Sequence, residues 1–210
     1  MRLRLINYFT GADVKTASQS GFLFAVVSIC LFAGCQKKVS VPGEFKEWNS
    51  SDGAFALSYP SEWRAQGGVY KDEGSSWAKF EKDGVSIRVD ASFTQSVLGD
   101  LMGGAGDTTD LPDDLRPEAK LHDHNLDFYK EHYRDYEEVS ITTKELPIGR
   151  TRIAEFKATK GLSKLCGIRA TATTRDKGIT FRAYAPEGQW EDFKPVFNQI
   201  LDGLKQGRKK

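Results

Sequence analysis

Three histidines fall within one stretch, Leu121-His-Asp-His-Asn-Leu-Asp-Phe-Tyr-Lys-Glu-His132, and the chain has no others. On a helix, His124, Asp127 and Glu131 stand at i, i+3 and i+7 and share a face. An imidazole with two carboxylates is a donor set for a divalent metal. The same spacing also describes the polar side of an amphipathic helix whose other side carries Leu126, Tyr129 and Tyr133. No HExxH pair and no second ligand group accompany it. The expected cofactor complement is therefore none, with His124, Asp127 and Glu131 the residues that would hold a metal.

Other chemistry-bearing residue types are scattered. Asp107, Asp110, Asp113 and Asp114 supply carboxylate oxygens on one loop, but their spacing fails the calcium-loop pattern. Gly103, Gly104 and Gly106 match neither GxGxxG nor the phosphate-binding loop, and no GxSxG elbow presents a serine nucleophile. Cys166 alternates with Ile168, Ala170 and Ala172, the pattern of a small buried hydrophobe rather than an activated thiol. No catalytic residue is expected. With 30 basic against 29 acidic residues, the chain is no electrostatically driven nucleic-acid binder. Its 13 Phe, 7 Tyr and 4 Trp furnish a core and exclude wholesale disorder.

The remaining reactive candidate is Cys35. It follows Gly21–Gly34, GFLFAVVSICLFAG, fourteen positions without a charge. About 20 apolar residues are needed to cross a bilayer, so this run has the length of a signal-peptide core instead. Its end, Leu31-Phe32-Ala33-Gly34-Cys35, resembles a bacterial lipobox, with Phe32 where Leu is usual. Small residues let the backbone reach a membrane peptidase, and the thiol accepts diacylglycerol. Two acyl chains, at about 0.8 kcal/mol per buried methylene, anchor stably. Cleavage before Cys35 removes Arg2, Arg4, Lys15 and Asp13, which takes the formal charge from +1 to −1. Cys30 leaves with the leader, so Cys166 has no disulfide partner.

The sequence then divides into a signal peptide (1–34), a polar tether (35–51), a domain (52–206) and a basic tail (207–210). Within the domain, Ala54–Tyr59 alternates as a strand. Trp77–Glu81 and Val85–Phe93 form a hairpin about Lys82-Asp83-Gly84. Gly99–Pro117 reads as a long irregular loop, and Glu118–Tyr133 as one helix opened by Pro117. Four more strands follow: Glu138–Leu146, Thr151–Thr159, Lys164–Thr174 and Gly178–Ala185, broken at Gly149, Gly161 and Asp176-Lys177-Gly178. Trp190, Phe193, Phe197, Ile200, Leu201 and Leu204 step by three and four, which marks a closing amphipathic helix with Pro195 near its first turn. This order predicts α+β: an α/β/α sandwich with a central, mostly antiparallel sheet.

The segment Phe55-Ala-Leu-Ser-Tyr-Pro-Ser-Glu-Trp63 resembles the opening of PsbP-like domains. Phe181-Arg-Ala-Tyr-Ala-Pro186, followed by the aromatic helix, is similar to how they end. The resemblance spans residues 52–206 and implies the same sandwich together with a role in binding rather than catalysis. The expectation is a bacterial lipoprotein held at the cell or outer membrane through lipidated Cys35. It faces the periplasm or exterior, with a protein partner and no nucleic acid. The alternatives are a metal-binding protein or metal-dependent enzyme using the His124 helix, and a small-ligand carrier with a pocket between sheet and helices.

Overall fold

A computed structural model describes residues 40–70, 74–92, 110–175 and 177–209. The lipobox-like run with Cys35, the three glycines at 103, 104 and 106, and Asp107 lie outside the described residues. Among the described residues no helix is long and apolar enough to cross a membrane.

Among the described residues, alternation of apolar and polar residues interrupted by turn formers accompanies nine strands. They are β1 (Phe45–Asn49), β2 (Ala56–Pro60), β3 (Arg64–Val69), β4 (Ser76–Lys82), β5 (Val85–Ser92), β6 (Arg134–Leu146), β7 (Gly149–Lys160), β8 (Ser163–Thr173) and β9 (Gly178–Pro186). Helices α1 (Pro117–His124) and α2 (Leu126–His132) separate β5 from β6, and α3 (Trp190–Asp202) follows β9. Strands β1 and β2 form a small sheet; the other seven are ordered β3-β4-β5-β9-β8-β7-β6, with antiparallel neighbours throughout. The Asp83-Gly84 turn has φ of +48° and +90°, the left-handed pair that a two-residue hairpin requires.

The strand period of two sorts residues between the faces. Ile87 and Val89 of β5, Ile168 and Ala170 of β8, and Phe181 and Ala183 of β9 bury one face beneath Phe193, Phe197, Ile200 and Leu201 of α3. On the opposite face Tyr129 and Tyr133 pack with Phe156, Ala158 and Leu165, and α1 lies against β7 and β8. The result is the expected α/β/α sandwich about an antiparallel sheet.

The elements depart from the sequence reading in four places. The single helix expected over Glu118–Tyr133 is two, joined at Asn125. His-Asp-His-Asn is a poor helix run because short polar side chains compete for the backbone. Residues 45–49, read as tether, form β1, and Trp48 packs against the core beside Tyr59 and Phe80. The Gly67-Gly68 run hid β3. Its lack of side chain is what admits Trp48, since a Cβ on Gly67 would stand 2.5 Å from the Trp48 ring. Finally, Pro195 lies inside α3, which runs on through it between the buried Phe193 and Val196.

Candidate functional site

The face of the sheet beneath α1 and α2 is polar in a way that alternation alone reads as solvent-facing. The register sets Arg88 of β5 opposite Arg182 of β9, and Arg182 opposite Arg169 of β8. Like charges directly across a ladder repel, so each guanidinium needs its own compensation.

Arg169 is 0 % exposed and is the most deeply placed. Its Nε donates to Glu138 Oε1 at 2.7 Å, its Nη2 lies 2.5 Å from the same oxygen, and its Nη1 donates to the His122 carbonyl at 2.7 Å. Tyr136 donates its hydroxyl to Glu138 Oε1 at 2.9 Å. His122, also 0 % exposed, shares a 3.0 Å hydrogen bond with Thr171, and its Nε2 stands 3.5 Å from Glu138. Burial works to raise the Glu138 pKa, but His122 and Arg169 together bring it down to about 2. Burial lowers that of His122, so the imidazole is neutral at physiological pH. This closed network holds α1 to the sheet.

Arg88 is compensated at the other end of the row. Its Nε and Nη2 each donate to an Asp90 carboxylate oxygen at 2.7 Å, and Nη2 donates to the Tyr70 hydroxyl at 2.6 Å. The Trp77 ring lies 5.2 Å away. The central arginine differs. Arg182 lies 5.5 Å from the Tyr129 ring and 5.7 Å from that of Tyr133. No carboxylate among the described residues pairs with it, and its buried Nε has no hydrogen-bond partner.

Arg182 opens onto a pocket of about 570 Å³ between β5, β9 and α2. Tyr70, Arg88 and Asp90 form one wall, Phe128, His132 and Tyr133 another, and Lys160 stands at the rim. His132 stacks on Phe128 with ring centroids 3.8 Å apart, and its Nδ1 is 2.7 Å from the Phe128 carbonyl. Lys160 donates to the Tyr184 hydroxyl at 3.4 Å. Asp90 is matched by Arg88, which leaves Arg182 and Lys160 as positive charges without a carboxylate partner among the described residues. Burial raises the pKa of Tyr129 and of Tyr133, so both phenols stay protonated near neutrality. The arrangement can bind an anion.

His124, at the end of α1, and Asp127 and Glu131, on α2, are all exposed. The break at Asn125 removes the single face on which they were expected to converge. Among the described residues no three His, Cys, Asp or Glu side chains come together as a metal site. Asp113 pairs with Arg150 at 2.7 Å and with Arg116 at 3.4 Å, a structural role for part of the acidic loop. Cys166 is buried, and burial pushes its thiol pKa up. His122, Arg169 and Arg182 were missed. Their one signal in the sequence was an arginine on the polar side of each of β5, β8 and β9, visible only once the register is known.

No family model matches the chain, and no curated protein matches it. Solved structures do. The solution structure of cyanobacterial PsbP (CyanoP) from Synechocystis aligns over 83 % of this chain and 98 % of its own, at 16 % identity and a TM-score of 0.53. Weaker likenesses are a mutant of the protein Mog1 (12 % identity, 79 % of this chain and 97 % of that one, TM-score 0.46) and a Pseudomonas aeruginosa protein of unknown function (8 %, 76 % and 95 %, TM-score 0.42). Element order, antiparallel sheet and the likeness to CyanoP together establish that the chain has a PsbP-like fold.

Proposed function

We propose that this chain is a bacterial lipoprotein whose domain is a non-catalytic binding module, with the Arg182 pocket as the place where it holds its ligand. A shared fold hosts many activities, so the reading rests on the pocket. Its volume falls within the roughly 300–1,000 Å³ usual for small-molecule sites. It is walled by aromatic rings with a few convergent polar groups, and it carries charge that no carboxylate among the described residues pairs with. The lipobox-like end at Cys35 supports anchoring at a bacterial membrane, facing the periplasm or exterior.

Native mass spectrometry of protein extracted from its host membrane tests both parts. The expected result is a diacylglycerol adduct on Cys35 and a small molecule released on denaturation. An unmodified amino terminus overturns the anchor. Protein that arrives empty and takes up nothing from host extract overturns the module.

A protein partner is the second reading. It is favoured by β6, a strand at one end of the sheet order with Val139 and Ile141 about half exposed. Photo-crosslinking from these two positions in native membranes tests it.

A further inference from the structure

The row of arginines bears on what the pocket selects as well as on its existence. Resting on that reading, we infer that the pocket takes an anionic small molecule, with its carboxylate or phosphate group on Arg182 and an apolar portion against the rings of Phe128 and Tyr133.

Four observations converge on this. First, charge: of the three arginines aligned across β5, β9 and β8, Arg88 has Asp90 and Arg169 has Glu138, whereas Arg182 has no carboxylate among the described residues. Lys160 at the rim meets a hydroxyl, that of Tyr184, and no carboxylate among the described residues. A site with two positive charges unmatched attracts an anion and repels a cation. Second, placement: Tyr129 and Tyr133 flank the Arg182 guanidinium, and its Nε–H is sheltered from water without an acceptor. The group is thus held by its surroundings before any ligand arrives, which reduces the ordering that binding requires. Third, geometry: a guanidinium offers paired N–H donors that match the two oxygens of a carboxylate or phosphate. Fourth, orientation: Asp90 accepts two hydrogen bonds from Arg88, so the charge at that wall is already matched within the protein. The acidic end of a ligand is directed toward Arg182 and Lys160, and its body toward α2, where Phe128 is 51 % exposed.

The test is calorimetric titration of the full chain in detergent at pH 7.5 with four probes: benzoate, phenyl phosphate, inorganic phosphate and the neutral benzyl alcohol. The expected result is saturable binding of benzoate or phenyl phosphate, at least tenfold tighter than that of benzyl alcohol and weakened by added salt. The stronger of the two acids tells a carboxylate ligand from a phosphate one, and inorganic phosphate shows how much the oxyanion contributes alone. Arg182→Gln weakens the acid at least tenfold and leaves benzyl alcohol unchanged, Lys160→Gln weakens it severalfold, and the exposed Lys164→Gln has no effect. Arg182→Gln relieves repulsion within the row, so it folds, and Lys160→Gln is a surface change that serves as the second variant. Equal binding of acid and alcohol overturns the anion preference while leaving the pocket reading in place. Failure of all four probes at millimolar concentration, or an Arg182→Gln variant that binds the acid normally, also overturns the proposal. The pocket reading itself is judged separately, by the ligand recovered from the host.

Discussion

Arg169→Met takes from the Glu138 carboxylate, which is 8 % exposed, the one arginine paired with it among the described residues, and a donor from the His122 carbonyl. Tyr136 still donates to Glu138 and His122 Nε2 stays 3.5 Å away, but neither neutral group offsets a charge. Breaking a buried pair by removing one partner costs about 3–5 kcal/mol, because the remaining charge stays in a poor solvent. Against a total of roughly 5–15 kcal/mol for a domain, that is a large fraction. In urea, with a slope of about 2 kcal/mol per molar, the midpoint falls by roughly 2 M at unchanged slope. The paired change Arg169→Met with Glu138→Leu removes both charges and recovers at least about 2 kcal/mol of the loss, since apolar replacement of a whole buried pair is often neutral. Equilibrium urea unfolding at pH 7.5, followed by tryptophan fluorescence, measures all of these. A loss under about 1 kcal/mol for Arg169→Met, or a double variant no more stable than the sum of its singles, would refute the reasoning.

Acid sensitivity follows from the same network. The pKa of His122 is lowered in the fold, so its contribution is complete above about 6.5 and declines as pH falls below it. Glu138 and Asp52 are each held at about 2 from ordinary values of 4.5 and 3.8, so their contributions are present above those values and are lost on descent toward 2. For Glu138 the loss is on the order of 3 kcal/mol. Urea midpoints measured from pH 8 to 3 should decline gently at first and steeply below about 4.5; a flat profile to pH 3 contradicts this. Gly167→Ala would place a Cβ 2.4 Å from both the Ala183 carbonyl and the Phe156 ring, and should cost about 1–3 kcal/mol or more by thermal unfolding, whereas a neutral result contradicts the packing. Phe197→Ala, at a site with no exposure on the sheet-facing side of α3, should cost about 3–5 kcal/mol in the same assay, and less than about 1 would place α3 off the sheet.

Wherever apolar residues alternate or step cleanly, the sequence was enough to find the element. The Asp83-Gly84 hairpin, the four strands from β6 to β9 and the aromatic stripe of α3 are written in local spacing. β3 was not, because Gly67 makes room for a neighbour, Trp48, that reaches it from the stretch read as tether. The helix break at Asn125 falls in a run of polar residues that compete locally for the backbone, a bias the apolar spacing of Leu126, Tyr129 and Tyr133 masks. The candidate site was harder still. Arg88, Arg169 and Arg182 each sit where a strand shows its polar face, which in isolation means solvent. Only the cross-strand register makes them a row, and only α1 and α2 above them bury it. The histidine cluster drew attention to the right segment for the wrong residue: His124 is exposed, whereas His122 turns inward onto Thr171.

The most direct test of the anion-binding pocket is the ¹⁵N resonance of the Arg182 Nε–H, followed by NMR while phenyl phosphate is added. The expected result is a sheltered, observable signal that shifts along a saturating curve and is absent from Arg182→Gln. A signal that stays in place while the ligand perturbs other residues, or no saturation at millimolar ligand, would contradict it.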